Sequence, residues 1–116
     1  MKTLFILNDQ PYGTERSYNG LRLATALAKR DGESVRVFLM GDAAAVAKTG
    51  QKLPDGHYNL ERMLKSLGLA GGEVGVCGTC MDARGLTPEE LTDVARKSTL
   101  AELTDWTQWA DKVVVF

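Results

Sequence analysis

Apolar residues gather in runs of strand length at three places along the chain: Thr3–Asn8 (TLFILN), Ser34–Met40 (SVRVFLM) and Lys112–Phe116 (KVVVF). Runs this continuous, without a polar residue at every second position, suit strands covered on both faces, as in a parallel sheet. A shorter run at Glu73–Val76 (EVGV) lies between two helical segments and predicts a fourth strand.

Between these runs the apolar spacing changes to that of a helix. In Arg16–Arg30 (RSYNGLRLATALAKR), Leu23, Ala24, Leu27 and Ala28 form one stripe, ended by the "RDG" of Arg30–Gly32. Gly41–Gly50 (GDAAAVAKTG) reads as a second helix, with Asp42 as its N-cap and Gly50 as its stop. In Asn59–Gly68 (NLERMLKSLG), Leu60, Met63, Leu64 and Leu67 fall at i, i+3, i+4 and i+7, with Gly68 at the C-cap. Thr87, Pro88 and Glu90 form a capping-box signature, and Thr99 with Glu102 repeats it before Leu100–Ala110 (LAELTDWTQWA). On that last helix Trp106 and Trp109 are expected to pack in a core or an interface. Short strands alternating with helices predict right-handed crossovers. The expected fold class is α/β, a doubly wound, mostly parallel sheet in a three-layer, flavodoxin-like or Rossmann-like sandwich. There is no internal repeat, linker or low-complexity segment, so residues 1–116 are read as a single domain.

Composition narrows the function classes. At 44% hydrophobic the chain can bury a real core, and its net charge of −1 comes from interspersed acids and bases. Without a basic block to follow a phosphate backbone, nucleic acid is not an expected partner. The apolar stretch near the N-terminus is too short for the hydrophobic region of a signal peptide, and no run approaches the roughly 20 apolar residues of a membrane span. A cytoplasmic protein without membrane partners is expected. In that reducing setting a pair of cysteines points to catalysis or metal binding more than to a structural staple.

That pair is Cys77 and Cys80, in "VCGTCMDARG" just after the fourth apolar run. In a doubly wound fold the functional atoms collect at the carboxyl ends of the strands. Three segments are expected there: Asn8–Glu15, Gln51–Asn59 and the cysteine segment itself. Asn8, Tyr12, His57 and Asn59 are the polar candidates for a surrounding pocket, His57 being either a base or a solvated loop residue. At a strand end, Gly78 lets the chain turn and the following N–H groups point back at the Cys77 sulfur. A helical turn through Thr79–Ala83 adds to the stabilisation of a thiolate. Arg84 would help if it folded back, and Asp82 would oppose. A thiolate so placed can take up sulfane sulfur as a persulfide, with neither metal nor organic cofactor. Zinc is a poorer fit, since it takes about four ligands and the chain offers two cysteines and a single histidine. A thioredoxin-like redox pair has the right spacing. However, none of Pro11, Pro54 and Pro88 stands at the start of a strand facing the cysteines, and the pair comes late in the chain. A buried, purely structural role for the cysteines is the remaining alternative.

Taken nearly end to end, the chain resembles the DsrE/DsrF family of small sulfur-relay proteins, and in particular its YchN-like members. The likeness is carried by "PYG" after the first strand, "LRLATAL", "VFLMGDA", "GHYNLERML", "VCGTCMDARGL" and the closing "LAELTDWTQWADKVVVF". It implies a flavodoxin-like subunit that assembles into homotrimers or homohexamers, with a persulfide-carrying cysteine that exchanges sulfur with a protein donor and acceptor. In the family's relay subunits the carrier cysteine precedes the glycine of a similar "RG" by eight residues. Here Cys77 stands eight before Gly85 and Cys80 five, so the resemblance selects Cys77 as carrier. Cys80 is then an extra thiol able to resolve the persulfide or to form a disulfide with Cys77. A thiol–disulfide redox protein and a non-catalytic oligomeric binding module stay open as alternatives.

Overall fold

The apolar runs pair side by side. In the computed structural model, which describes residues 1–116, they form one five-stranded sheet. The strands are β1 (Lys2–Leu7), β2 (Ser34–Leu39), β3 (Glu73–Cys77), β4 (Ala95–Ser98) and β5 (Lys112–Val115). They lie in the order β4-β3-β2-β1-β5, and every pair is parallel. The helices are α1 (Arg16–Ala28), α2 (Leu60–Leu69), α3 (Gly78–Ala83) and α4 (Leu100–Trp109). From β1 to β4 each connection steps to the next strand in the same direction, whereas the connection from β4 returns across the whole sheet to β5. Right-handed crossovers therefore put α1, α2 and α3 on one face and α4 on the other.

The pleat sorts the strand side chains accordingly. Phe5, Leu7, Val37, Leu39, Val74 and Val76 point into the larger core beneath α1 and α2, where Leu21, Leu60, Leu64 and Leu67 meet them. Their neighbours Leu4 and Phe38 point the other way, into a second core closed by Leu103 and Trp106 of α4. Helix α4 is tied to the edge strand by polar contacts. Thr99 caps it by accepting the Glu102 N–H at 3.1 Å, Arg96 Nη2 donates to Glu102 Oε2 at 2.9 Å, and Ser98 Oγ donates to Glu102 Oε1 at 2.6 Å. The Arg96 guanidinium holds the Glu102 carboxyl below the usual carboxylate range, against an opposing contribution from burial.

Several local expectations are corrected. Gly41–Ala47 is a 3-10 segment rather than an α-helix ending at Gly50, and its cap is Met40 without a side-chain bond. The stretch Ala43, Ala44, Val46 and Ala47 is buried on too many sides for one helical stripe, and Asp42 turns outward to Arg84. The box at Thr87 starts only one 3-10 turn, Pro88–Glu90, after which the chain extends toward β4. Gly68 lies inside α2, tight against Val94, and the left-handed residue beyond the helix is Gly71 at φ +92°. On α1 the buried stripe is Ser17, Gly20, Leu21 and Ala24, while Leu23 is exposed. Strand β4 has no counterpart in the apolar pattern, because its middle residues Arg96 and Lys97 face solvent along a sheet edge, a common way of blunting one.

Candidate functional site

Alternation along β3 decides where Cys77 goes. Val74 and Val76 take the larger core, so Gly75 and Cys77 fall on the α4 face. The chain then enters α3 at once, and one turn later Cys80 packs against the larger core on the opposite side. The CxxC thus straddles the carboxyl edge of the sheet. Its two residues have Cα atoms 5.2 Å apart and are joined as a disulfide. The Cys80 N–H donates to Cys77 Sγ at 3.3 Å, and the Thr79 hydroxyl lies 3.4 Å from the same sulfur.

Gly78 is required for a reason other than a tight turn. A Cβ there would stand 2.7 Å from the Ser98 carbonyl oxygen and 3.1 Å from Lys97 Cε. Glycine lets the start of α3 press against β4, whose Ser98 pairs with Cys77. Gly85, at φ +66°, reverses the chain just past α3, where the Leu86 N–H closes onto the Met81 carbonyl at 3.0 Å.

Beside Cys77 a cleft of about 370 Å³ opens between the sheet and α4. Phe38, Met40, Leu100 and Leu103 supply its apolar surface, and Thr79, Asp82, Lys97 and Ser98 its polar edge. Lys97 Nζ reaches Asp82 Oδ1 at 2.8 Å, so the cation that lines the cleft is balanced by a carboxylate on α3. Arg84 does not fold back onto the sulfur. Its guanidinium is held by Asp42 through Nε at 3.0 Å and Nη2 at 2.9 Å, and Nη1 donates to the Cys80 carbonyl at 3.1 Å. Arg84 therefore fastens α3 to the 3-10 segment.

The other polar candidates are placed elsewhere. Asn8 Nδ2 donates to the Phe116 carbonyl at 3.1 Å, joining the ends of β1 and β5. The Tyr12 hydroxyl donates to Gln51 Oε1 at 2.5 Å and accepts the Leu60 N–H at 3.2 Å. Asn59 caps α2 by accepting from the Arg62 N–H at 3.1 Å and donates through Nδ2 to the Gln51 carbonyl at 2.9 Å. His57 is exposed in the loop that this network fastens. None of Asn8, Tyr12, His57 and Asn59 lines the Cys77 cleft. No three His, Cys, Asp or Glu side chains are gathered as a metal site. The residues that sequence reasoning missed are Lys97 and Ser98, which lie on the unrecognised β4, and the apolar lining from Phe38, Met40, Leu100 and Leu103. For Phe38 and Met40 a signal existed: both share the pleat phase of Cys77 across the β2–β3 register.

Comparison with known proteins places this geometry in context. The model of the DsrE/DsrF-like family matches residues 1–116. The YchN protein of Escherichia coli K12 is 41% identical over 116 residues, covering 99% of this chain and 98% of its own. An uncharacterized protein of Methanocaldococcus jannaschii is 39% identical over 117 residues, with both chains fully covered. The crystal structure of the Escherichia coli YchN protein superposes with a TM-score of 0.92 over 99% of this chain and 98% of that one. A protein of unknown function from Methanobacterium thermoautotrophicum shares the fold alone, with a TM-score of 0.74 at 13% identity over 99% of this chain and 98% of that one.

Proposed function

The chain belongs to the DsrE/DsrF-like family, and from that membership we propose that it relays sulfur, carrying sulfane sulfur as a persulfide on Cys77 between a protein donor and a protein acceptor. The observation that supports this reading is the placement of Cys77 at the carboxyl end of β3, with its sulfur beside a cleft large enough for an added atom. In loading, the reduced Cys77 thiolate attacks the outer sulfur of a donor persulfide. The donor's S–S bond breaks, and the donor leaves as a thiolate. No helix of the chain is long and apolar enough to cross a membrane. A reducing compartment such as the cytoplasm would keep the pair as thiols between turnovers.

Reduced protein incubated with a cysteine desulfurase and cysteine is expected to gain about 32 Da, the mass of one sulfur, when Cys80→Ser is used to leave Cys77 as the sole thiol. Cys77→Ser is expected to gain nothing. Loading of Cys77→Ser to the level of Cys80→Ser would remove the assignment, and no mass change in either variant would leave the binding-module reading. The disulfide between Cys77 and Cys80 favours a second reading, a thiol–disulfide redox protein.

Self-association is part of the same proposal. On the α4 face, Val113 and Val115 pair in register with Leu4 and Ile6, and they remain 42% and 62% exposed because α4 packs from β4 across to β1 and leaves β5 uncovered. A second copy of this chain seated there would bury an edge strand that a small subunit otherwise leaves bare. Light scattering at micromolar concentration is expected to give the mass of a homotrimer or homohexamer. A strict monomer would overturn it.

A further inference from the structure

The two thiols lie on opposite sides of the same sulfur bond. Cys77 belongs to the α4 face and borders the cleft, whereas Cys80 comes from α3 and packs against the larger core. A second sulfur on Cys77 has room only on the cleft side, since the other side is occupied by Cys80 and its N–H. Displacement at sulfur proceeds with attacking and leaving groups on opposite sides of the attacked atom. The fold thus sets Cys80 behind Cys77 Sγ and the outer sulfur in front of it. The two residues are already within bonding geometry, with Cα atoms 5.2 Å apart, and no rearrangement of β3 or α3 is needed to join them.

We propose that Cys80 is a resolving thiol and that the chain discharges its own persulfide as sulfide, a reductive activity beyond relay. This rests on Cys77 being the carrier. The Cys80 thiolate attacks Cys77 Sγ and forms the Cys77–Cys80 bond. The bond from Cys77 Sγ to the outer sulfur breaks, and that sulfur leaves as hydrosulfide with the electron pair. Cys80 is oxidised to its half of the disulfide, and the outer sulfur is reduced. Hydrosulfide emerges at the cleft edge, where Lys97 is paired with Asp82. The chain contains no third cysteine, so the product is the closed pair with no thiol left to reload. An external dithiol must reopen it before another cycle, and an acceptor thiol receives sulfur only if it reaches the persulfide before Cys80 does. On this view the relay and redox readings are successive halves of one cycle.

The test uses fully reduced protein, freed of small thiols, and a substoichiometric amount of glutathione persulfide, with free sulfide and intact mass followed together. Wild type is expected to release about one sulfide per sulfur donated, and an equal number of chains to finish about 2 Da lighter than the reduced chain. Cys80→Ser and Cys80→Ala are expected to hold the adduct of about 32 Da, with sulfide release slower by about a hundredfold or more for loss of the intramolecular reactant. Wild type that retains the adduct as long as Cys80→Ser, with no additional sulfide, would overturn the proposal while leaving the carrier reading in place. Sulfide release from Cys80→Ser together with a glutathione adduct would also overturn it, because the donor's inner sulfur would then be the one attacked. Failure of both Cys80 variants to load, with wild type folded and fully reduced, would refute the carrier reading itself and the discharge step with it. Either Cys80 variant that folds is enough for the comparison with wild type, since both remove the same thiol.

Discussion

Trp106→Ala is expected to cost about 3–5 kcal/mol, a large share of the roughly 5–15 kcal/mol that holds a domain of this size together. The reason is the unequal thickness of the two layers. One face of the sheet is covered by α1, α2, α3 and the 3-10 segment, but the other by α4 alone, over a core of only Leu4, Phe38, Leu103 and Trp106. Trp106 is 4% exposed and meets Phe38 edge to face at 6.0 Å between ring centres. Its ring also lies 3.2 Å from where a Cβ on Gly75 would stand, so the missing side chain on β3 is the space that the indole fills. Arg36 and Arg96 lie over the same ring at 5.2 and 5.7 Å, adding cation–π attraction on the solvent side. No other side chain can move into so wide a gap without unseating α4. Urea unfolding monitored by far-UV circular dichroism would measure the loss, and Trp106→Phe should recover a good part of it. Because Leu103 and Phe38 also line the Cys77 cleft, the alanine variant should alkylate faster at Cys77 once reduced. A loss below about 1 kcal/mol would mean that α4 is held by something other than this core.

What could be read in the sequence follows from how local the determining physics is. Strands β1 and β2 were visible because strands in a covered parallel sheet are apolar along most of their length, and β5 because it is apolar even though it lies at an edge with Val113 and Val115 exposed. Strand β4 was not, since Ala95–Ser98 has only two buried residues and lies at an edge, where charge is favoured over apolar content. The capping signatures identified real turns but could not say how far each helix would run. At Thr99 the side-chain cap opens α4, with Glu102 turned to Arg96 and Ser98, and at Thr87 the full box opens a single turn, because the chain beyond it is drawn into an extended path. There the Thr49 N–H donates to the Glu90 carbonyl at 2.8 Å and the Thr92 N–H to the Ala47 carbonyl at 2.8 Å. Long-range bonds of that kind leave no periodic trace.

The same division runs through the site. Cys77 and Cys80 were legible because cysteine is rare in the chain and the pair sits at a strand end. That the pair straddles the sheet was implicit in the pleat, once β3 was given its phase by Val74 and Val76. The surroundings were less legible. Lys97 depends on recognising β4, and Arg84 was drawn away from the sulfur by Asp42, a partner 42 residues distant. Tyr12 and Asn59 lie on loops that do reach the carboxyl side, but their hydrogen bonds are spent on fastening the 51–59 loop to α2. A loop polar residue can serve a neighbouring backbone as readily as a ligand, and composition does not distinguish the two.

Gly78→Ala is expected to cost about 1–3 kcal/mol and to impair sulfur loading as well, the combination that marks a residue shaping the site through the backbone. The obstacle to a methyl group at Gly78 is the carbonyl oxygen of Ser98 at 2.7 Å, an atom of the neighbouring strand that cannot rotate aside. Gly20 offers the contrast: there a Cβ would meet the Leu7 Cδ2 atom at 2.5 Å, at the end of a side chain that can change rotamer. To admit alanine at Gly78, either β4 must move away from β3 or the start of α3 must lift. The first loosens the Cys77–Ser98 pairing, and the second withdraws the Cys80 N–H from Cys77 Sγ. Lys97 is pressed by the same methyl group, through Cε at 3.1 Å and Cγ at 3.4 Å, so its pairing with Asp82 shifts too. Gly85→Ala provides the control, since that residue has open space around it but a φ of +66°, and its cost is backbone strain of about 1–2 kcal/mol at a point beyond α3. The two variants should therefore lose comparable stability, while only Gly78→Ala slows the gain of sulfur mass at Cys77 under the desulfurase assay. Equal loading rates in both variants, at matched fractions folded, would show that the close approach of α3 to β4 sets stability alone and does not position the cysteine.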